Sequence, residues 1–217
     1  MATAAEMNAV NIVLLGEHGA GKSSCGNTIL NKEVFTVGRQ IEACAMEKAE
    51  VAGMQVTVVD TPGWNCDSAE DSSEEPKQEL KRSVEMLEGA PHALLLIHSL
   101  ESPFTYDHKR ALEKHLELFG ANVWDRAMVL FSRGDCNCDV RQYIDTSSVA
   151  LKFLLEKCSD RYHVLNNMNR SDPTQVTELL EKINQMIAGR RRGSKTYQPP
   201  TMPEEVGEAS GAQEETM

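Results

Sequence analysis

The sequence predicts an α/β fold with a mostly parallel six-stranded sheet, one antiparallel edge strand and helices on both faces of the sheet. Short apolar runs rich in β-branched residues alternate with segments of helical periodicity, and this alternation is typical of parallel sheets. The first apolar run leads into a glycine-rich loop that opens a helix. Two later runs flank Ala52-Gly53, which indicates a hairpin and therefore the antiparallel edge.

The first elements lie between residues 10 and 60. Residues 10–15 form an apolar strand that ends abruptly at Gly16, and residues 22–31 follow as a helix. The hairpin strands are predicted at 46–51 and 54–60, with the second strand buried. This part of the chain therefore supplies three of the six strands.

The middle of the chain continues the alternation. Residues 65–76 are polar, acidic and rich in serine, which indicates a mobile loop, and helical spacing resumes over 77–87. A fully apolar strand at 93–99 precedes a helix at 105–119. Gly120 is a natural stop for that helix, because glycine readily adopts the conformation that ends a helix.

The last elements are predicted as a buried strand at 127–132, a largely helical segment at 140–157, a short strand at 162–165 and an amphipathic helix at 174–188. Periodicity then disappears, and Pro, Gly, Glu and Ser follow three consecutive arginines. Such a segment buries too little apolar surface to order itself.

These elements divide the chain into three regions. Residues 1–9 are expected to be a flexible N-terminus, residues 10–188 a single domain, and residues 189–217 a disordered tail that is first basic and then acidic. The six cysteines are scattered along the chain, so we expect free thiols and no disulfide framework.

The charge and hydropathy of the chain exclude some classes of partner. The chain carries 22 Lys and Arg against 33 Asp and Glu, a formal net charge of −11. This argues against a nucleic-acid-binding surface, because phosphate backbones require clustered positive charge. No segment is apolar for the roughly 18 residues of a membrane span, and residues 1–11 lack the features of a signal peptide. We therefore expect a cytoplasmic protein without an integral membrane segment.

The segment Gly16-Glu17-His18-Gly19-Ala20-Gly21-Lys22-Ser23 matches the phosphate-binding pattern G-x-x-x-x-G-K-S, in the required place between a strand and a helix. Its glycines let the backbone curl so that successive N–H groups point at phosphate oxygens, and the helix adds its positive end. Lys22 is expected to contact the β- and γ-phosphates, and the Ser23 hydroxyl to ligate Mg²⁺. The motif predicts a fold of the P-loop NTPase class, with nucleotide contacts from Gly16, His18, Gly19, Ala20, Gly21, Lys22 and Ser23.

A second motif, Asp60-Thr61-Pro62-Gly63, ends the second hairpin strand. Alone it is a turn after a strand, but downstream of a phosphate loop Asp60 is expected to hold Mg²⁺ through water. The amide of Gly63 is then expected to contact the γ-phosphate. The predicted catalytic residues are accordingly Lys22, Ser23 and Gly63, and the predicted metal ligands are Ser23 and Asp60.

A third motif, Phe131-Ser132-Arg133-Gly134-Asp135, follows the strand at 127–132. Ligands of such sheets bind beyond the carboxyl ends of the strands, so this loop is expected to face the nucleotide. The Asp135 carboxylate can accept hydrogen bonds from guanine N1–H and N2–H₂, whereas adenine would leave it unpaired. The motif therefore predicts guanine specificity, with Arg133 and Asp135 as nucleotide contacts.

These motifs resemble those of the immunity-associated GTPases, the GIMAP family, which are relatives of septins and of chloroplast-import GTPases. The resemblance covers residues 10–188 and is greatest to fish members of the family. The segments that carry it are Gly21-Lys22-Ser23-Ser24, Gly26-Asn27-Thr28-Ile29-Leu30, Asp60-Thr61-Pro62-Gly63, Pro91-His92-Ala93-Leu94-Leu95-Leu96, Phe104-Thr105, Leu118-Phe119-Gly120, Leu130-Phe131-Ser132-Arg133-Gly134-Asp135 and Arg161-Tyr162-His163-Val164-Leu165-Asn166-Asn167.

The resemblance implies binding of GTP and GDP with Mg²⁺, and assembly of homodimers or homo-oligomers through the GTPase domain. It also implies that Ser24 belongs to the nucleotide site and that Asn166 or Asn167 lies against the base. The implied activity is a slow hydrolysis of GTP to GDP and phosphate.

Three positions weaken the expectation of fast hydrolysis. Ile41 stands where the family has a threonine that ligates Mg²⁺, and Pro103 stands where many members have an arginine. Trp64 follows Gly63 where Ras-like enzymes have a glutamine that orients the attacking water, and the family shares this departure. An arginine that stabilises the transition state is worth roughly 10³–10⁵ in rate.

Three functions stay open at this point. The first is a slow GTPase in which water attacks in line and Lys22, Ser23, Mg²⁺ and backbone amides stabilise the charge. The second is a scaffold that assembles in the GTP-bound state and hardly hydrolyses GTP. The third, a nucleotide kinase or ATPase, is disfavoured by Asp135 and by the lack of a cluster of arginines for a phosphate acceptor.

Overall fold

A computed structural model describes residues 8–66, 74–136 and 139–193, without the side chains of 74–76 and 191–193. In these ranges the strands are β1 (Ala9–Leu15), β2 (Ala45–Val51), β3 (Met54–Asp60), β4 (Ala93–Ser99), β5 (Ala127–Ser132) and β6 (Tyr162–Val164). The helices are α1 (Lys22–Leu30), α2 (Glu74–Glu85), α3 (Tyr106–Leu116), α4 (Val140–Thr146), α5 (Val149–Lys157) and α6 (Thr174–Gly193). Two 3₁₀ turns cover Glu117–Phe119 and Val123–Arg126.

The six strands form one sheet in the order β2-β3-β1-β4-β5-β6. Strand β2 pairs antiparallel with β3, and every other pair of neighbours is parallel. The prediction of a mostly parallel six-stranded sheet with one antiparallel edge strand is therefore confirmed. Because β1, β3, β4 and β5 run in one direction, the loops that follow them meet at one edge of the sheet.

The sheet separates two apolar cores. Successive residues of a strand point to opposite faces, so Ile12 and Leu14 pack on the side of α1 and α6, whereas Val13 and Leu15 pack on the side of α2, α3 and α5. All four of these β1 side chains are buried. A strand covered on both faces explains why residues 10–15 are apolar without alternation.

The segment predicted as one helix at 140–157 is two helices, α4 and α5. Ser148 lies between them, accepts a hydrogen bond from Leu151 N as the N-terminal cap of α5, and donates its hydroxyl to Phe104 O. A serine that caps a helix competes with continuation of the preceding helix, which accounts for the break.

Two other boundaries differ from prediction. The predicted loop 65–76 is wrong at its end, because α2 begins at Glu74, and residues 67–73 lie outside the described residues. Helix α6 continues through Gly193, where the chain was predicted to leave the helix after 188. Arg190 donates to His92 O over 2.8 Å, and this contact with the body of the domain supports the additional turn.

The described cysteines differ in their bonding state. Cys25, Cys44, Cys66 and Cys158 are not in disulfides, as expected, but Cys136 is disulfide-bonded, so the expectation was wrong at that position. None of the helices in the described ranges is both long enough and apolar enough to cross a bilayer.

Candidate functional site

The phosphate loop lies at the carboxyl edge of the sheet between β1 and α1. Lys22 is only 6% exposed, and its Nζ donates to Glu17 O over 2.9 Å, so the ammonium group lies inside the curve of the loop. Gly19 and Gly21 have φ angles of 78° and 94°, which L-residues with a side chain rarely adopt. A Cβ at Gly16 would lie 2.6 Å from Ile97 O, so only glycine fits there.

Ser23 and Asp60 meet beside this loop. The Ser23 hydroxyl donates to Asp60 Oδ2 over 2.6 Å, and Asp60 is 1% exposed. The other carboxylate oxygen, Oδ1, is buried and has no hydrogen-bond partner among the residues that the structure describes. A buried carboxylate oxygen without a donor, next to a hydroxyl, is a donor set suited to a hard divalent cation such as Mg²⁺.

Burial shifts the pKa of both charged side chains of this site, Lys22 and Asp60. It lowers the pKa of Lys22 to about 8, against the opposing influence of Asp60 and Glu17. It also raises the pKa of Asp60, although the hydrogen bond from Ser23 and the charge of Lys22 act in the other direction. Each group therefore loses hydration that an anionic ligand and a cation would replace.

The backbone that follows β3 passes directly over the phosphate loop. His18 N donates to Trp64 O over 2.9 Å, and a Cβ at Gly63 would lie 2.7 Å from both His18 N and Lys22 Nζ. Gly63 therefore fits only as glycine. The ring of Trp64 is 3% exposed and stacks on His115 with centroids 4.4 Å apart, so it belongs to the core on the α3 side.

A cavity of about 400 Å³ opens above these groups. It brings together most of the predicted phosphate contacts and adds residues 37–41, among which the sequence motifs point to Ile41 alone. The available signal for the rest of this segment was its place in the loop between α1 and β2. The lining residues are His18, Gly19, Gly21, Lys22, Ser23, Ser24, Val37, Gly38, Arg39, Gln40, Ile41, Gly63 and Arg133.

The loop after β5 is fixed to the phosphate loop and to β6. Ser132 Oγ donates to Ala20 O over 2.7 Å, and Gly134 N donates to Leu165 O over 3.0 Å. Arg133, with a φ of 63°, lines the cavity and has its Nε 3.6 Å from Glu101 Oε2. Asp135 is exposed at the same edge of the sheet.

The two asparagines after β6 shape their own loop. Asn167 accepts from Thr28 Oγ1 over 2.8 Å and donates to Cys25 Sγ over 3.4 Å, which joins this loop to α1. Asn166 Oδ1 accepts from the backbone N–H groups of Met168 and Asn169 and so closes a tight turn. Both residues lie at the carboxyl edge of the sheet, beyond the end of β6.

Comparison with protein families gives a match over nearly the whole chain. The profile of the AIG1 family matches residues 10–214. Immune-associated nucleotide-binding protein 5 of Arabidopsis thaliana is 31% identical over 183 residues, which cover 82% of this chain and 58% of that protein. GTPase IMAP family member 8 of Homo sapiens is 33% identical over 186 residues, which cover 83% of this chain and 28% of that protein. The chain thus spans about three-fifths or less of the length of these curated relatives.

Solved structures share the fold. Toc33 from Arabidopsis thaliana in complex with GDP and Mg²⁺ superposes with a TM-score of 0.67 at 16% identity, over 85% of this chain and 86% of that chain. A second structure comes from the chloroplast translocon components, for whose GTPase activity dimerization is important; it superposes with a TM-score of 0.64 at 17% identity, over 86% of each chain. At these identities the likeness establishes the P-loop GTPase fold.

Proposed function

This chain belongs to the AIG1 family, and from that premise we propose that it binds GTP and GDP with Mg²⁺ and hydrolyses GTP slowly. The observation that carries the proposal is the buried Ser23–Asp60 pair with the unpartnered Asp60 Oδ1, 1% exposed, beside a phosphate loop. In the proposed complex, Ser23 and Asp60 hold the cation and the cavity above Lys22 holds the phosphates.

The chain's own residues define how far it can catalyse hydrolysis. In this proposal Lys22 contributes a buried positive charge to the phosphates, and a contact between the Gly63 amide and the γ-phosphate would fix the segment that follows Gly63. Mg²⁺, when bound, supplies a further charge that stabilises the phosphate oxygens. The position after Gly63 offers no group to orient water, because the Trp64 ring is packed on His115. Turnover is therefore slow in the isolated domain.

A homodimer formed through the GTPase domain is the assembly that we propose. The loop between β4 and α3 lies at the same edge as the cavity, and Pro103 in it is exposed. This proline supplies no charge to a partner's nucleotide. An arginine in trans is worth roughly 10³–10⁵ in rate, so a dimer of this chain gains less than one that has such a residue.

A second function, a GTP-dependent scaffold with negligible hydrolysis, is favoured by one observation in the cavity. Ile41 lines the cavity where a hydroxyl would ligate the cation, so the loop between α1 and β2 has one ligand fewer. In that case the nucleotide would control assembly alone.

Phosphate release from GTP at rising protein concentration distinguishes the two functions. We expect slow turnover per chain that rises with concentration, and no turnover in Lys22→Ala at any concentration. GTP that stays bound without phosphate release would favour the scaffold function over the GTPase function. Failure of the parent chain to bind GTP or GDP at all would refute both.

A further inference from the structure

A cluster of side chains of types that can bind a metal lies at the phosphate loop, and none of its members lines the cavity above Lys22. Glu17 comes from the phosphate loop, Cys66 from the segment after β3, and His108 from the first turn of α3. One ligand atom from each residue lies within 4.8 Å of the other two, and all three side chains are partly buried. Within the described parts of the chain, no other group of His, Cys and acidic side chains has this geometry.

The carboxylate of Glu17 is the centre of the cluster. The Cys66 thiol donates to Glu17 Oε2 over 3.3 Å, and His108 Nε2 lies 3.0 Å from the same oxygen. Zinc ligands at bond lengths of roughly 2.0–2.3 Å in a tetrahedron lie roughly 3.3–3.7 Å from one another. The two contacts to Glu17 are therefore already close to the spacing of a metal site, and a small cavity of about 20 Å³ lined by all three side chains provides room for an ion.

We propose that Glu17, Cys66 and His108 form a Zn²⁺ site that joins the phosphate loop to the segment after Gly63. A thiolate, an imidazole and a carboxylate are a zinc donor set, whereas Mg²⁺ prefers oxygen ligands alone. On binding, the Cys66 thiol releases its proton to solvent. Thiolate and carboxylate then balance the charge of the cation, and one coordination position is left for water.

The surroundings of His108 fit this role. Its Nδ1 accepts a hydrogen bond from Thr105 N over 3.2 Å in the capping box of α3 and lies 2.5 Å from Thr105 Oγ1, which leaves Nε2 directed at Glu17. Metal binding at Nε2 moves the ring proton to Nδ1, where Thr105 Oγ1 can accept it in place of the bond from Thr105 N, and such a hydrogen bond fixes the orientation of a metal-binding histidine. Thr105 also caps α3, so its position is set by the helix.

The site would join two segments of the chain that already contact each other, the phosphate loop and the segment after Gly63. Cys66 follows Gly63 by three residues, and Glu17 precedes His18, whose N–H is bonded to Trp64 O. A bound Zn²⁺ adds a second bridge between the same two segments. The proposed site is distinct from the Ser23–Asp60 pair and does not depend on the proposed GTPase function.

Cobalt(II) is the probe that tests the site, because a thiolate ligand gives Co²⁺ an ultraviolet charge-transfer band that oxygen ligands do not give. The reduced 217-residue chain, saturated with GDP and Mg²⁺, is titrated with Co²⁺ and then with Zn²⁺ in competition with a chromophoric chelator. We expect one equivalent of bound Co²⁺ with the thiolate band, displaced by Zn²⁺. Glu17→Gln and His108→Gln should each weaken Zn²⁺ binding by at least about tenfold.

Three cysteine variants locate the thiolate. Cys66→Ser should remove the band, while Cys44→Ser, which changes a buried thiol outside the cluster, should keep it. A band that survives Cys66→Ser and disappears in Cys136→Ser would overturn the proposal, as would the absence of any thiolate band in the parent chain. His108→Gln retains the helix cap, because glutamine is a normal partner of threonine in a capping box, so circular dichroism should show an intact fold.

Discussion

Lys22 and Asp60 show how a motif determines a site at the scale of single residues. Both are charged, and both are almost completely buried beside the phosphate loop. Their types and spacing could be predicted from the sequence, because phosphate and Mg²⁺ impose the same chemistry on every such loop. The cluster of Glu17, Cys66 and His108 could not, since its members are far apart in the chain and are brought together only by the packing of three elements.

The lowered pKa of Lys22 predicts a pH dependence of nucleotide affinity. In the nucleotide-free protein the pKa is about 8, and a bound phosphate raises it because it favours the charged ammonium. Affinity is therefore greatest below pH 8 and falls as pH rises through that value. Linkage gives a loss of about tenfold in GDP affinity between pH 7 and pH 9.

Isothermal titration calorimetry of GDP binding in two buffers of different ionisation enthalpy measures both the affinity and the proton uptake. Lys22→Arg is the matched control, because the guanidinium stays charged throughout this range and its affinity, though lower, should be independent of pH. A flat profile for the parent chain would show that Lys22 is fully charged without nucleotide.

Asp135 carries the prediction of base specificity. Its exposed carboxylate lies at the carboxyl edge of the sheet, in the loop that Ser132 ties to the phosphate loop. Asp135→Ala should reduce the preference for GTP over ATP by at least about a hundredfold, because the hydrogen bonds to guanine N1–H and N2–H₂ are lost. Competition of GTP and ATP for labelled GDP measures the ratio. Asp145→Ala, an exposed aspartate of α4, should leave it unchanged; an equal preference in Asp135→Ala and the parent would remove Asp135 from base recognition.

At the scale of elements, strand positions follow closely from the sequence, and helix limits less so. The apolar runs at 54–60, 93–99 and 127–132 coincide with β3, β4 and β5, because strands buried on both faces have few other residues available to them. The break between α4 and α5 depends instead on Ser148 reaching Phe104 O, a contact between distant parts of the chain. Helical periodicity alone cannot show such a contact.

The surroundings of two helical glycines, Gly26 in α1 and Gly189 in α6, predict opposite effects of substitution by alanine. A Cβ at Gly26 would lie 2.7 Å from the ring of Phe35. The backbone of Phe35 is held by the side chain of Asn27, which accepts a hydrogen bond from Phe35 N and donates one to Phe35 O. The Phe35 ring cannot move away from the new methyl group easily, so the steric cost exceeds the gain in helix propensity from replacing glycine by alanine. Gly26→Ala should lower the free energy of unfolding by about 1–2 kcal/mol.

Gly189→Ala is the contrasting variant in α6. A Cβ there meets nothing within 4 Å, so the substitution should stabilise the domain by about 0.5–1 kcal/mol through helix propensity. Urea denaturation followed by circular dichroism measures both changes. Equal effects of the two substitutions would mean that the Phe35 ring moves freely.

At the scale of the whole molecule, the parallel sheet places the three predicted motifs at one edge. The loops after β1, β3 and β5 carry His18, Gly63 and Arg133, which are separated in sequence but line the same cavity. The same edge carries the loop between β4 and α3. A face that presents the nucleotide and this loop together is suited to pairing with a second copy of itself, since a two-fold axis brings each loop to the partner's nucleotide.

Pro103 makes this geometry testable through a gain of function. It is exposed in the loop before α3, whereas the adjacent Phe104 is buried, so the loop is anchored while position 103 faces solvent. If two domains pair through this edge, an arginine at 103 reaches the partner's phosphates and stabilises the charge of the transition state. Pro103→Arg should raise the turnover of GTP by about tenfold or more at high protein concentration, and by much less at low concentration.

Phosphate release measured over a hundredfold range of protein concentration, with sedimentation velocity in parallel, separates this effect from a local one. Pro103→Gln removes the proline without adding charge and should match the parent chain. Pro103→Lys adds a positive charge without the planar set of donors of a guanidinium group, so its turnover should lie between those of the parent chain and Pro103→Arg. A rise that is independent of concentration would place the new arginine at its own nucleotide. No rise in a chain that dimerises would mean that the two sites do not face each other, and the pairing surface would then lie elsewhere on the domain.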